Sequence, residues 1–107
     1  GSSYLFGPPP QGMGAYVSAK EALWGYTKSI ATDMAHYGIT ANMVSPSLTI
    51  TDLTSEIPSR VKEVEAIKSP TRRLVTVEDT AYHVAHICAD YSSYLNGINL
   101  PITSSPI

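Results

Sequence analysis

Residues 38–46 read Gly38-Ile39-Thr40-Ala41-Asn42-Met43-Val44-Ser45-Pro46, and this stretch decides the fold class. Gly38 is the residue type that closes a helix in the left-handed conformation. Ile39 to Val44 then read as a short buried strand, ended by Ser45-Pro46. A helix that feeds a strand through one glycine is an α/β connection.

The helix lies upstream, from about Ala15 to Tyr37. Ala22, Tyr26, Ile30 and Met34 form one i, i+4 row, with Ala19, Leu23 and Thr27 beside it. Twenty-odd residues make roughly 35 Å of helix. The row through Ala22, Ile30 and Met34 is expected to pack on the sheet. Gly25 inside the helix costs about 1 kcal/mol relative to alanine, which suggests close approach of another element. Downstream, Leu53 to Ile67 is expected to be helical, with Pro58 limiting where that helix can begin. Thr76 is a candidate N-cap for a helix with Asp79 in its first turn and Ala81, Val84, Ala85 and Cys88 on its apolar face, ending near Asp90. Asn96-Gly97 signals a turn, and Ile98 to Ile102 reads as a last strand. Residues 1–15, with Pro8-Pro9-Pro10, form a loop.

The order is long helix, strand, loop with helix, helix, strand. Two strands cannot bury both faces of a parallel sheet. The expectation is therefore one domain over 1–107 that is the C-terminal part of an α/β domain. Composition agrees. Charged residues are 15% of the 107, against about 25% in a typical soluble domain. A small domain needs more charged surface, not less, so part of this surface is expected to be covered by a partner or by further chain.

The net charge of −2 is too weak a field to suggest nucleic acid or an anionic membrane as partner. One cysteine excludes an internal disulfide framework and points to a reducing, cytoplasmic setting. Apolar runs are too short to span a membrane, and no signal peptide is visible. His36, His83 and His86 lack partners at metal-ligand spacing, so no metal is expected. His36 is expected to act at a helix C-terminus and Cys88 to be a buried small residue. Arg72-Arg73 suits an ion pair better than a phosphate contact. Trp24 and Tyr26 suit packing or an interface.

The chemistry-bearing pair is Tyr16 and Lys20, four apart and so on one helix face. An ammonium beside a phenol stabilises the phenolate and lowers a tyrosine pKa from its ordinary value of about 10. Such a tyrosine serves as a general acid near neutral pH. The spacing alone also fits a half-exposed surface pair. Ser3 precedes Tyr16 by thirteen residues, and Asn42, Pro46 and Thr51 follow it.

With these residues the sequence resembles the short-chain dehydrogenase/reductase family, in its C-terminal half. The matching stretches are Gly1-Ser2-Ser3, Tyr16 to Ala22, Gly38 to Pro46, Thr51-Asp52, Arg73-Leu74, Val77 to Ala81 and Ser92 to Gly97. The style is closest to 3-oxoacyl-carrier-protein reductases. The resemblance implies part of a Rossmann-like, doubly wound parallel sheet whose N-terminal dinucleotide-binding half is absent. It implies NADP or NAD as cofactor, a small-molecule or carrier-bound carbonyl substrate, and a homo-oligomer through helix 15–37. Tyr16 would protonate the substrate oxygen. Lys20 would assist it and hold the ribose hydroxyls, and Ser3 would hydrogen-bond the carbonyl. Pro46, Ser47, Thr49 and Thr51 would border the nicotinamide, and residues 50–70 would act as a lid.

There are departures. Ser47 stands where the family has glycine, and Ser104-Ser105 where it has a glycine pair. The Gly-rich phosphate loop and the catalytic asparagine are expected to be missing, so this chain would not bind a dinucleotide in the family manner. Gly1-Ser2-Ser3 can also be read as a cloning remnant, in which case Ser3 has no role. The other reading of the whole chain is a truncated, non-catalytic half-domain kept as a structural or interaction module.

Overall fold

The computed structural model describes residues 1–107 apart from the side chain of Asp52, so Asp52 of the Thr51-Asp52 match lies outside the described groups. The regular elements are α1 (Gly14–Asp33), β1 (Met43–Pro46), α2 (Ser59–Lys68), α3 (Val77–Ile87) and β2 (Asn99–Ile102). Short 3₁₀ turns lie at Ser3–Phe6, Ala35–Tyr37, Asp52–Thr54 and Asp90–Ser92. The strands pair in parallel, Met43 opposite Asn99 and Pro46 opposite Ile102. The crossover between them carries α2 and α3, as a parallel pair requires.

The long helix ends earlier than its periodicity suggests. Its last turn tightens to 3₁₀ over Ala35–Tyr37, and Gly38, at φ 75°, closes it in the left-handed region. The strand also begins late, at Met43 rather than Ile39. Its lead-in is tied to the turn before β2, not to a ladder. Gly97 N–H donates to Ala41 O at 2.9 Å, and Ala41 N–H donates to Asn96 Oδ1 at 3.0 Å. Asn42 donates through Nδ2 to Leu95 O at 3.1 Å and accepts from Ile98 N–H through Oδ1 at 3.1 Å. Gly97 has φ 71°, which an L side chain adopts only with strain.

The buried face of α1 is not the row expected from its sequence. Ala31 is buried, Val17, Lys20, Trp24, Thr27, Ile30 and Met34 are half-buried, and Ala22 is exposed with Tyr26. The cause is the Asn96-Gly97 turn. Asn96 Nδ2 donates to Ala31 O at 2.8 Å, and a Cβ on Gly97 would stand 3.4 Å from the Ala31 methyl. That contact turns the Ala31 line inward and leaves Ala22, Gly25 and Tyr26 outside.

Helix α2 starts only after Pro58, because a residue before proline avoids helical backbone. Leu53 therefore belongs to the separate turn Asp52–Thr54. Helix α3 starts as expected, with a capping box. Asp79 N–H donates to Thr76 Oγ1 at 3.2 Å, and Thr76 N–H donates to Asp79 Oδ2 at 2.8 Å. It ends at Ile87, short of Asp90.

Ala81, Val84, Ala85 and Cys88 are exposed, so the expected burial of Cys88 is wrong. No described element of the chain covers that face; the one buried side chain of α3 is Ile87. Buried apolar residues are Ala31, Met43 and Ile87. Three serines are buried with them, each hydrogen-bonded: Ser2 to Tyr4 N–H, Ser45 to Asn99 and Ser92 to His86 O. Among the described residues no helix is long and apolar enough to cross a membrane.

Candidate active site

Tyr16 lies in the first turn of α1, with Lys20 one turn on. The Lys20 ammonium nitrogen stands 5.5 Å from the centroid of the Tyr16 ring, within cation–π range. The helix places both groups on one side, as their spacing requires. Tyr16 is 42% exposed.

The first six residues bridge this pair to the sheet. Gly1 N–H donates to Val44 O of β1 at 2.9 Å. Ser2 caps the following turn, accepting from Tyr4 N–H at 3.2 Å through Oγ and from Leu5 N–H at 3.1 Å through its carbonyl. The turn Ser3–Phe6 packs on α1, β1 and β2. Ser3 is half-buried on it. The next residue, Tyr4, sets its ring edge-on to Tyr16, with centroids 6.4 Å apart and planes at 75°. Burial pushes the Tyr4 phenol above its ordinary pKa, and the charges of Glu65 and Tyr16 add to the shift.

Pro46 ends β1, and the chain leaves the carboxyl end of the sheet, where open α/β sheets bind ligands. Ser47 N–H donates to Ile102 O at 3.0 Å, continuing the pairing by one residue. Thr49 pairs in parallel with Val75, and its hydroxyl donates to Ser47 O at 2.8 Å. Thr54 Oγ1 accepts from Thr51 N–H at 2.9 Å and faces the carbonyl oxygens of Thr49 and Thr51 at 2.8 and 2.9 Å. One hydroxyl thus gathers the loop that carries Thr49 and Thr51.

Sequence reasoning passed over Thr54, Tyr4 and Asn96 as site-building residues. Thr54 stands three residues after Thr51, a spacing at which a hydroxyl meets local backbone. Tyr4 adjoins Ser3. Asn96 was legible as a turn residue and within the Ser92–Gly97 match, but not as a partner of Ala31 and Ala41.

A cleft of about 270 Å³ is lined by Ser47, Lys68, Arg73, Asp79, His83 and Ser104 among others. It meets the candidate site only at Ser47. Its charges are paired: Arg73 reaches both carboxylate oxygens of Asp79, at 2.6 and 3.2 Å. Arg73, and then Thr76, hold the Asp79 carboxyl well below the usual carboxylate range. The ion-pair reading of Arg73 therefore holds. His36 packs on Tyr37 with ring centroids 3.9 Å apart and planes at 39°, and His86 Nδ1 meets Tyr91 Oη at 2.9 Å. No group of metal-ligating side chains forms among the described residues.

The donor set fits one end of a nicotinamide dinucleotide. A lysine ammonium and a phenol on one helix face suit the vicinal hydroxyls of a ribose, and Pro46 to Thr51 occupy the ligand end of the parallel strands. For the pyrophosphate, the described residues offer no strand, Gly-rich loop and helix in sequence.

Residues 7–104 match the family described as enoyl-(acyl carrier protein) reductase. The 3-oxoacyl-[acyl-carrier-protein] reductase FabG of Rickettsia typhi is 33% identical over 91 residues, covering 85% of this chain and 38% of the relative. FabG of Pseudomonas aeruginosa is 32% identical over 91 residues, covering 85% of this chain and 37% of its own. The crystal structure of acetoin dehydrogenase YohF from Salmonella typhimurium superposes with a TM-score of 0.76 at 28% identity, covering 94% of this chain and 38% of that one. The chain thus spans under two-fifths of the length of these relatives, and within it the two parallel strands and their helices form part of a Rossmann-like α/β sheet. Matched over nearly its whole length, with Tyr16 and Lys20 on one helix face, the chain belongs to the short-chain dehydrogenase/reductase family.

Proposed function

We propose that residues 1–107 form the C-terminal, catalytic half of an NAD(P)-dependent oxidoreductase that interconverts a carbonyl and an alcohol. The observation that carries this reading is the Tyr16–Lys20 pair, with the ammonium 5.5 Å from the ring centroid. The relatives' names, 3-oxoacyl-carrier-protein reductase and acetoin dehydrogenase, support a small or carrier-bound carbonyl as the substrate. When bound, the reduced nicotinamide supplies the hydride that goes to the carbonyl carbon.

The chain's own residues handle the proton. Tyr16 Oη gives its proton to the substrate oxygen as negative charge grows there. The Lys20 ammonium stabilises the phenolate left behind, and it also suits the ribose hydroxyls. Ser3 would hydrogen-bond the carbonyl oxygen as negative charge develops there. Pro46, Ser47, Thr49 and Thr51 would border a bound nicotinamide. Ser47, whose amide is already bonded to Ile102, brings a side chain where the family has only a hydrogen.

In the full-length protein, Tyr16→Phe should lower turnover by about 10²–10⁴, the range for loss of a general acid. Cofactor affinity, measured by nicotinamide fluorescence, should change little. Near-normal turnover would remove Tyr16 from the mechanism. The reading as a non-catalytic half-domain is separated from this one by the coding sequence upstream of Gly1: an in-frame βαβαβ unit there supports the enzyme.

A further inference from the structure

We propose that Tyr4 is a positioning residue for Tyr16: its ring, set edge-on against the Tyr16 ring, holds that phenol in the orientation from which the proton is delivered. The inference rests on the reading of Tyr16 as the acid.

Tyr16 has little else to hold it. It sits in the first turn of α1, whose N-cap residue, Met13, makes no side-chain hydrogen bond, and first turns fray. The residue is 42% exposed. An exposed aromatic side chain samples several rotamers, and only some aim the hydroxyl at a bound carbonyl. A misplacement of about 1 Å lowers a rate substantially.

Tyr4 stands on firmer ground. Its own N–H is bonded to Ser2 Oγ at 3.2 Å, and Ser2 is 5% exposed. The Ser3–Phe6 turn is packed on three elements, α1, β1 and β2. A ring carried by that turn reaches Tyr16 at 6.4 Å and 75°, within the favoured edge-to-face range. The Lys20 ammonium stands 5.5 Å from the same centroid. Burial, Glu65 and Tyr16 all push the Tyr4 phenol above its ordinary pKa, so it holds its proton.

The test uses the full-length protein with ring-labelled tyrosine. In the unaltered protein, magnetisation should pass between the Tyr4 and Tyr16 ring protons; no transfer overturns the proposal without any substitution having been made. Tyr4→Leu should shift the Tyr16 ring signals, assigned from their loss in Tyr16→Phe. With a 3-oxoacyl thioester as the probe substrate, Tyr4→Leu should lower kcat about two- to tenfold, the worth of an edge-to-face pair, and leave the KM for the nicotinamide unchanged. Tyr4→Phe keeps the ring and should restore kcat to within about twofold. A fall in Tyr4→Phe equal to that in Tyr4→Leu assigns the effect to the hydroxyl and overturns ring positioning. Unchanged Tyr16 signals and kcat in Tyr4→Leu, with Tyr16→Phe inactive, sink this proposal alone. Full turnover in Tyr16→Phe sinks both, since no acid is then left to position.

Discussion

Removing the Asn42 side chain should loosen the joint on which the whole crossover turns. Its amide makes two hydrogen bonds, donating to Leu95 O and accepting from Ile98 N–H, each at 3.1 Å. Both partners are half-buried. A net hydrogen bond contributes about 0.5–1.5 kcal/mol, so Asn42→Ala should cost about 1–3 kcal/mol. Water reaching the freed groups holds the loss to the lower part of that range. Asn42→Asp keeps the acceptor for Ile98 N–H but sets a carboxylate against Leu95 O, so it should not restore stability. The assay is urea unfolding of the full-length protein, where the midpoint should fall with the slope unchanged. In a melt the same loss appears as roughly 2–4 °C per kcal/mol for a domain of 150–250 residues. Asn96→Ala acts on the same turn through Ala41 N–H and Ala31 O. The double variant should therefore lose less than the sum of the two. A loss under about 0.5 kcal/mol for Asn42→Ala, or strict additivity with Asn96→Ala, would refute the view that these asparagines act as one joint.

Three further outcomes are expected. Asp79 has a depressed carboxyl pKa, so its contribution to α3 is fully present above about pH 4, the ordinary carboxylate value, and is lost as pH falls below it. The stability gap between the unaltered protein and Asp79→Asn should then be constant near neutrality and close in acid; a gap that widens in acid contradicts the assignment. Residues 1–107 expressed alone should not form a stable monomer, since their buried apolar residues are few and Leu53, Tyr82, Tyr91 and Tyr94 stand largely in solvent; a sharp two-state melt of a monomeric sample counts against this. Gly25→Glu should weaken assembly of the full-length protein in sedimentation, because Gly25 lies on the uncovered flank of α1 with open space where its side chain would be. Unchanged assembly would remove that flank from any interface between copies.

Local signals in this sequence are strong where one chemical group suffices. Gly38 closes its helix because only a residue without a Cβ adopts φ 75° cheaply. Thr76 and Asp79 cap α3 through bonds that span three residues. Tyr16 and Lys20 share a face because the helix repeat fixes it. These features, the order of the elements and the resemblance to a family were all determined by residues close in sequence. Tertiary structure decided what depends on contacts between distant residues. The inward face of α1 follows Ala31 because the Asn96-Gly97 turn, 65 residues on, bonds its carbonyl. β1 starts at Met43 because the side chains of Asn42 and Asn96 take over the backbone bonds that a longer strand would need. Tyr4 meets Tyr16 because a turn lodged against both strands carries its ring there. Periodicity records which residues can share a face; which face is buried depends on what the rest of the chain brings against it.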